Sequence, residues 1–171
     1  MENYNVLSKK GRWYKIDKNE EEIAVMMYEK WSNRDAEIKL NKTEMFFISA
    51  DKLLSSMIEI KQGNTVAAYA EPDHKGEVII TIKNQHGSDE VFVFAHDHTS
   101  KNRYVVTNQQ NEEIIVAEQE FKWRTLSYKC TLSATENIHP LLLLPITLYC
   151  VNIYRSSFVG NAAMVNANNV S

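Results

Sequence analysis

The most constraining feature of the sequence is an apolar segment near its C-terminal end, LLLLPITLYCVNIY, residues 141–154. Its uninterrupted apolar part, Leu141 to Val151, is 11 residues long, whereas a helix that crosses a bilayer needs about 20 apolar residues. A helix that is apolar on every face is normally buried inside its own protein. The segment therefore predicts a buried helix over about residues 138–157.

The residues before this segment are typical of a helix start. Asn137 or His139 is a candidate N-cap, and Pro140 falls near the first helical position, where a missing N–H costs nothing. Pro145 lies further along the segment. It is expected to bend the first turns or to remove one hydrogen bond, because proline lacks the backbone donor.

A membrane anchor or a short spanning helix is the alternative interpretation of the same segment. Asn152, Arg155 and the uncharged polar stretch 159–171 argue against it. That stretch has no periodicity and is expected to be a disordered polar tail. Residues 1–17 contain no apolar run of signal-peptide length. We therefore predict a cytoplasmic protein without a spanning segment, which in one hypothesis below is peripheral to the inner face of the membrane.

Most of the remaining chain alternates between apolar and polar residues with the two-residue period of β-strands. TLSYKCTL, residues 125–132, and GEVIITIK, residues 76–83, show the alternation most clearly. VFVFA, residues 91–95, is apolar on both faces, which predicts a strand covered on both sides. Periodicity alone leaves residues 21–31 and 50–60 open between helix and strand, because their apolar residues also fit a helical stripe.

A threefold internal repeat decides these two segments. Three hairpins begin at Trp13, Met57 and Tyr104, 44 and 47 residues apart, a spacing that marks a repeated supersecondary unit. Each has an apolar-rich strand, a polar turn with Asn, and a second strand that begins with β-branched residues and Ala. The segment EEIAVMMYE occupies the second-strand slot of the first copy. It is therefore predicted to be a strand.

Each hairpin is followed by a second pair of strands, so that three copies predict about twelve strands. The pairs are DAEIKL and EMFFIS, GEVIITIK and DEVFVFAH, and FKWRT and LSYKCTL. The predicted fold is mainly β: an antiparallel barrel of three quasi-repeats closed around the apolar C-terminal helix, in one domain over residues 1–158. The side chains expected to fill the barrel are Leu141, Leu142, Leu143, Leu144, Ile146, Leu148 and Val151.

This arrangement resembles the tubby C-terminal-like superfamily, which includes bacterial tubby-like, LURP-one-related and phospholipid-scramblase-like proteins. The segment from Glu112 to Tyr154 is similar to the last strands and the helix of the bacterial members. The similar features are a strand that turns through Phe-Lys-Trp, then an alternating strand and a leucine run. The resemblance extends from about Gly11 to Phe158, and Pro145 within the leucine run departs from it.

The resemblance implies a non-enzymatic binding or scaffold domain, with a peripheral membrane protein that binds or moves phospholipids as the alternative. Its implied partner is an anionic phospholipid or a protein. Tubby itself binds phosphoinositide headgroups through a basic pocket, and no matching basic motif occurs here. The nearest candidates for a lipid headgroup are the scattered cations Lys9, Lys10, Arg12, Lys15, Lys122 and Arg124. Cations in such positions are more typical of solvated strand faces.

Composition excludes a further class of function. The 22 acidic and 19 basic residues give a net charge of −3, whereas a nucleic-acid partner needs a basic excess. Two cysteines, Cys130 and Cys150, are too few for a disulfide framework and suit a reducing compartment. Their places on an inward strand position and on the helix predict buried thiols.

The histidines provide the one ligand-like cluster. His96 and His98 are two residues apart, so that on a strand they would face the same side and could hold a metal. A third ligand is needed, and nothing in the sequence brings His74, His86 or His139 close. The segment HDHTSKN is better interpreted as a polar loop, and we predict neither a metal nor a cofactor.

No recognised catalytic motif occurs in the sequence. The carboxylates around the third hairpin, Glu112, Glu113, Glu118 and Glu120, alternate towards solvent. A catalytic pair would need burial to separate the two pKa values. The sequence therefore does not predict an enzyme.

Overall fold

The chain forms a closed antiparallel β-barrel of twelve strands around one helix, as seen in a computed structural model. The structure describes residues 1–9, 11–29, 34–50, 57–84, 87–100, 102–122, 127–136, 138 and 140–154. For residues 121–122 and 127–128 it describes the backbone alone.

The strands follow one another around the barrel in chain order. They are β1 (Glu2–Lys9), β2 (Trp13–Lys18), β3 (Glu21–Tyr28), β4 (Ala36–Leu40), β5 (Glu44–Ala50), β6 (Ile58–Gln62), β7 (Thr65–Pro72), β8 (Val78–Ile82), β9 (Glu90–His96), β10 (Arg103–Thr107), β11 (Glu113–Lys122) and β12 (Ser127–Ala134). Each strand pairs with its sequence neighbours, and β1 pairs with β12 to close the sheet. The predicted barrel is confirmed.

The twelfth strand comes from the N-terminal part of the chain and not from the third repeat. FKWRT is not a separate strand, because Phe121 and Lys122 continue β11; residues 123–126 lie outside the described residues. Strand β1 is the twelfth strand of the barrel instead. Its Val6 aligns with Cys130 of β12 on one side and with Ile16 of β2 on the other. The missed signal is the absence of a turn residue between EEIIVAEQE and FK, so that the strand continues.

The three repeated hairpins share the same distortion. The register shifts after Ile16 in the β2–β3 pair, after Ile60 in the β6–β7 pair and after Val106 in the β10–β11 pair. A β-bulge bends its strand and increases the local twist. Recurrence of the bulge every four strands therefore distributes the curvature that closes the sheet. The predicted strand at residues 21–28 is confirmed as β3.

Polar turn residues connect the strands of the first repeat. Asn19 and Glu20 have φ values of 50° and 67°, and Asn41 and Lys42 have φ values of 48° and 64°. Two consecutive positive φ angles are the mark of the type I′ turn, whose twist matches that of a hairpin. Asn tolerates this conformation better than most residues, which explains its place in the repeated turn.

The helix spans residues 143–154 and is enclosed by the barrel. Buried residues on all of its faces join the inner faces of the strands in one core. The polar atoms of the helix have partners: the Tyr149 hydroxyl donates to the Arg34 carbonyl at 2.7 Å, and the Asn152 amide donates to the Tyr28 hydroxyl at 3.3 Å. These bonds fix the rotation of the helix, because an unpaired buried polar group is costly.

The helix begins later than about residue 138. Leu141 and Leu142 form the turn before it, with Leu143 N–H bonded to the Pro140 carbonyl at 3.0 Å. Pro145 therefore lies in the first helical turn, where a backbone N–H has no intrahelical partner. The expected loss of a hydrogen bond therefore does not occur, since Pro145 removes no helical hydrogen bond. Residues 137, 139 and 155–171, including the predicted tail, lie outside the described residues.

The wall of the barrel is a single layer. Phe92 and Phe94 are buried on the inner face of β9, but Val91 and Val93 are only half-buried on its outer face. The prediction that this strand is covered on both sides is therefore wrong, because no second layer packs over it in the described part of the chain. No helix among the described residues is long and apolar enough to cross a membrane.

Candidate functional site

The interior of the barrel is occupied by the helix. Leu143, Leu144, Ile146, Leu148 and Val151 are all fully buried, which confirms their predicted place in the core. Leu142 is buried and Leu141 half-buried in the turn that precedes the helix. The surfaces on which this protein can bind a partner are therefore outside the barrel or at its ends.

Of the cations proposed for a lipid headgroup, Lys9, Arg12 and Lys15 have described side chains, and these three do not converge. The Lys9 ammonium lies 5.4 Å from the centre of the Trp13 ring, and Lys15 forms an ion pair with Asp17 at 2.9 Å. The Arg12 guanidinium donates to the carbonyls of Tyr28 and Glu29. Each of these three cations therefore has a partner close by, on its own strand or on the next strand of the sheet.

The remaining headgroup candidates are less well defined. Lys122 ends β11, at the same end of the barrel as the β1–β2 turn, and two strands separate it from β2. Its side chain, and the residues Lys10 and Arg124, lie outside what the structure describes.

His96 and His98 are neighbours in an aromatic cluster. Their ring centres are 5.6 Å apart, and His96 also stacks on Tyr154 at 6.1 Å and packs edge-on to Tyr104 at 5.1 Å. The cluster closes the end of the barrel where the helix ends. Among the described residues, no group of three His, Cys, Asp or Glu side chains is placed to hold a metal ion.

Asp97, between the two histidines, organises the following loop. Its carboxylate accepts hydrogen bonds from the Thr99 hydroxyl at 2.7 Å and the Thr99 N–H at 2.9 Å, and it pairs with Arg103. Arg103 also bonds Glu113 at 2.8 Å. The Thr99 and Arg103 bonds lower the pKa of Asp97 to about 2. The acidic residue of the HDH motif therefore serves the loop, and this network connects β9, β10 and β11.

Asp97→Asn is expected to destabilise the protein at neutral pH and to have less effect in acid. The folded-state pKa of Asp97 is about 2, below the unfolded value of about 3.9. Its stabilising contribution is therefore complete above about pH 4 and disappears as the pH falls through about 2. The difference in Tm between wild type and variant should narrow over that range. Glu118→Gln, at an exposed carboxylate outside this network, is the control. A difference for Asp97→Asn that narrows no more than that of the control would contradict the assignment.

The cysteines are buried as predicted. Cys150 lies on the helix, and burial alone raises the pKa of its thiol to about 12. A thiol nucleophile needs the opposite shift, towards the thiolate. Cys150 is therefore a protonated core side chain at neutral pH.

The exposed large apolar side chains concentrate on one side of the barrel, which we call the apolar outer face. Leu7 on β1, Met27 on β3, and Met45 and Phe47 on β5 are 54%, 46%, 37% and 43% exposed. They include every large apolar side chain classed as exposed in the described part of the chain except Met1. Clustering of this kind marks an interaction surface in soluble proteins.

The strand register shows how this face is built. Met27 lies beside Glu37, and Glu37 lies beside Phe47, in one row across β3, β4 and β5. The adjacent row places Lys39 beside Met45. Neither Glu37 nor Lys39 has an ion-pair partner among the described residues. The row that contains Met45 continues through Lys39 and Val25 to Lys15 and Leu7. The face therefore combines exposed apolar side chains with the unpaired charges Glu37 and Lys39 and with Lys15, which is paired with Asp17.

A cleft lies at the end of the barrel where the helix begins. It has a volume of about 320 Å³ and is bounded by the β4–β5 and β6–β7 turns, the end of β8 and residues 140–142. Phe46, Val66, Ile82 and Leu141 contribute apolar walls. Glu44, on the same side of β5 as the inward Phe46 and Ile48, lines the cleft as well.

Sequence analysis identified neither the outer face nor the cleft. A signal for the face was present, because Met26-Met27 and Phe46-Phe47 place apolar residues on both sides of a strand. No signal for the cleft exists in the sequence, since its walls come from four separate parts of the chain.

Comparisons with known proteins yield no match. No family model matches the chain, and neither a curated protein nor a solved structure matches it. The function is therefore inferred from the barrel and from its surfaces.

Proposed function

We propose that this protein is a tubby-like binding or scaffold domain without catalytic activity, and that its apolar outer face binds a second copy of the chain. The single observation that carries the proposal is the gathering of Leu7, Met27, Met45 and Phe47 on one side of the barrel. A closed barrel around a helix agrees with the tubby-like architecture. A fold does not specify a function, however, and the surface provides the argument.

The ionisable groups support a role in binding and not in catalysis. Catalytic groups are typically found in clefts with strongly shifted pKa values. The largest shifts among the described residues belong to Asp97, Tyr149 and Cys150. Asp97 holds its own loop together, and burial in the core raises the pKa values of Tyr149 and Cys150. None of the three lines the cleft where the helix begins.

The charges on the face favour a protein partner over a lipid bilayer. Insertion of Met27 and Phe47 into a membrane would carry the Glu37 carboxylate between them into an apolar medium, which is costly. A second copy related by a two-fold axis presents the same patch. In that arrangement Glu37 of one copy can pair with Lys39 of the other, since the two residues lie two positions apart on β4.

Binding to anionic phospholipid is the second candidate. Lys9, Lys15, Lys39 and Lys61 lie on the same side of the barrel as the exposed apolar residues. Each cation near an anionic surface contributes about 1 kcal/mol. Two of the four are neutralised locally, however, by Asp17 at 2.9 Å and Glu59 at 2.6 Å. The remaining attraction is weak in comparison with the cost of burying Glu37.

Sedimentation velocity over a range of concentrations tests the proposal. We expect wild type to self-associate and Phe47→Glu to dissociate at least about tenfold more readily, a change of about 1.4 kcal/mol. Glu37→Lys and Lys39→Glu should each weaken association, because each places like charges opposite one another across the interface. The double variant should restore association, because residues 37 and 39 again carry opposite charges. Thr81→Glu, on the outer face of β8, five strands from β3, is the matched control.

Co-sedimentation with anionic vesicles distinguishes the two candidates. The proposal expects no vesicle binding by wild type. Binding that is lost in Phe47→Glu would favour the phospholipid candidate. A protein that is monomeric at every concentration and does not bind vesicles would contradict both assignments of this face.

A further inference from the structure

We propose that the cleft where the helix begins binds a small molecule with an apolar body and a cationic amine. The site is separate from the apolar outer face, and it does not depend on self-association. It lies at an end of the barrel, where strand turns and the start of the helix leave a space of about 320 Å³. Small-molecule sites begin at about this size, and barrel mouths are among their usual places.

The walls of the cleft are suited to an apolar body. Phe46 and Ile82 are nearly buried inner-face residues, each 6% exposed, and their exposed edges meet Val66 and Leu141 in the cleft. Removal of apolar surface from water contributes about 25 cal/mol per Å². A short aliphatic or aromatic group is therefore the part of a ligand that these walls would bind.

The charge of the cleft selects a cation. Its described ionic side chains are Glu44 and Lys83. The Lys83 ammonium is held by Asp89 at 2.5 Å and lies 5.5 Å from the centre of the Tyr69 ring on the outside of β7. Its charge is thus balanced by a neighbour. Glu44 has no ion pair with a described residue, so the carboxylate leaves the described lining of the cleft negative.

The start of the helix does not offset this negative charge by offering anion-binding groups. Leu143 N–H bonds the Pro140 carbonyl at 3.0 Å, and Leu144 N–H bonds the Leu141 carbonyl at 3.1 Å. Pro145 has no N–H. The backbone donors that make helix starts bind anions are therefore occupied or missing here.

Neutral polar side chains complete the rim. Asn41, Gln62 and Thr65 line the cleft on the β4–β5 and β6–β7 turns. Their side-chain oxygens can accept hydrogen bonds from an ammonium group, while the Glu44 carboxylate supplies the charge-assisted bond. An amine is therefore preferred over an alcohol of the same length, and an alcohol over a carboxylate.

Titration of the full chain with hexylamine, hexanol and hexanoate, followed by NMR chemical-shift changes, tests this order. We expect saturable shifts centred on Glu44, Val66 and Leu141 with hexylamine, and weaker binding of the other two probes. Glu44→Gln should weaken hexylamine binding by about tenfold, equivalent to about 1.4 kcal/mol, and should leave hexanol binding unchanged. Because Glu44 is exposed at the start of its strand, this variant is expected to keep the Tm of wild type.

Glu71→Gln is the matched control, because Glu71 is an exposed carboxylate on β7 outside the cleft. It should bind hexylamine like wild type. Equal affinity for the three probes, unchanged hexylamine binding in Glu44→Gln, or no saturable binding of any probe would each overturn the proposal. A variant that fills the cleft, Val66→Phe, should weaken both hexylamine and hexanol, and retention of both would also count against the site.

Discussion

Leu148→Ala is expected to lower the free energy of unfolding by about 2–5 kcal/mol. Leu148 lies on the helix and is fully buried. Truncation of its side chain removes apolar contacts and leaves a cavity that a closed barrel cannot collapse to fill. Total stabilities of single domains are about 5–15 kcal/mol, so this one change removes a large part of the total. Urea denaturation followed by circular dichroism measures it.

Leu7→Ala is the matched control for this measurement. The same atoms are removed, but Leu7 is 54% exposed on the outer face of β1. At a protein concentration low enough to keep the chain monomeric, its effect should therefore be within about 0.5 kcal/mol of zero. Similar losses for the two variants would show that the helix does not fill the barrel. The m-value should stay constant in both, because neither changes the surface exposed on unfolding.

Removal of residues 2–9 is expected to prevent formation of the barrel. Strand β1 pairs with both β2 and β12, and it buries Tyr4 and Val6 in the core. Without it, the edges of β2 and β12 are left with unpaired N–H and C=O groups, which promote aggregation. The shortened chain should lose its cooperative thermal transition and associate, as measured by calorimetry and size-exclusion chromatography.

Complementation in trans separates loss of closure from a general folding defect. A synthetic ENYNVLSK peptide should add to the open edges and restore a cooperative transition. The same peptide with Tyr4→Asp and Val6→Asp should fail, because both side chains face the core. A shortened chain that melts cooperatively at the Tm of wild type would contradict the assigned role of β1.

Local patterns predicted the strands well. The repeat beginning at Trp13, Met57 and Tyr104 is a structural repeat, since the same bulge recurs on the second strand of each hairpin, in β3, β7 and β11. It also overcame the helical periodicity of residues 21–28. The repeat predicted one strand too many in the third copy, because β11 continues through Lys122. The twelfth strand of the barrel is β1, from the N-terminal part of the chain. The sequence of a single strand does not show which distant strand it pairs with.

The candidate sites were much less predictable. Lys9, Arg12 and Lys15 were identified as cations. The partners of Lys9 and Arg12, at Trp13, Tyr28 and Glu29, depend on how neighbouring strands align, whereas Lys15 pairs with Asp17 of its own strand. Glu37 and Phe47 are ten residues apart in sequence and adjacent in the sheet. A hairpin register decides which outward residues become neighbours, and this determines whether a surface is apolar, charged or mixed.

By itself, the sequence determined the secondary structure and the burial of the apolar segment. Two-residue alternation requires half-buried strands, and a segment of 11 apolar residues is too short for a bilayer and too apolar for water. The tertiary structure alone decided how the barrel closes, where the helix begins, and which residues gather on the apolar outer face and in the cleft. The physical reason is that burial and alternation are local properties of a chain, whereas closure and neighbouring surface residues arise from contacts between distant strands.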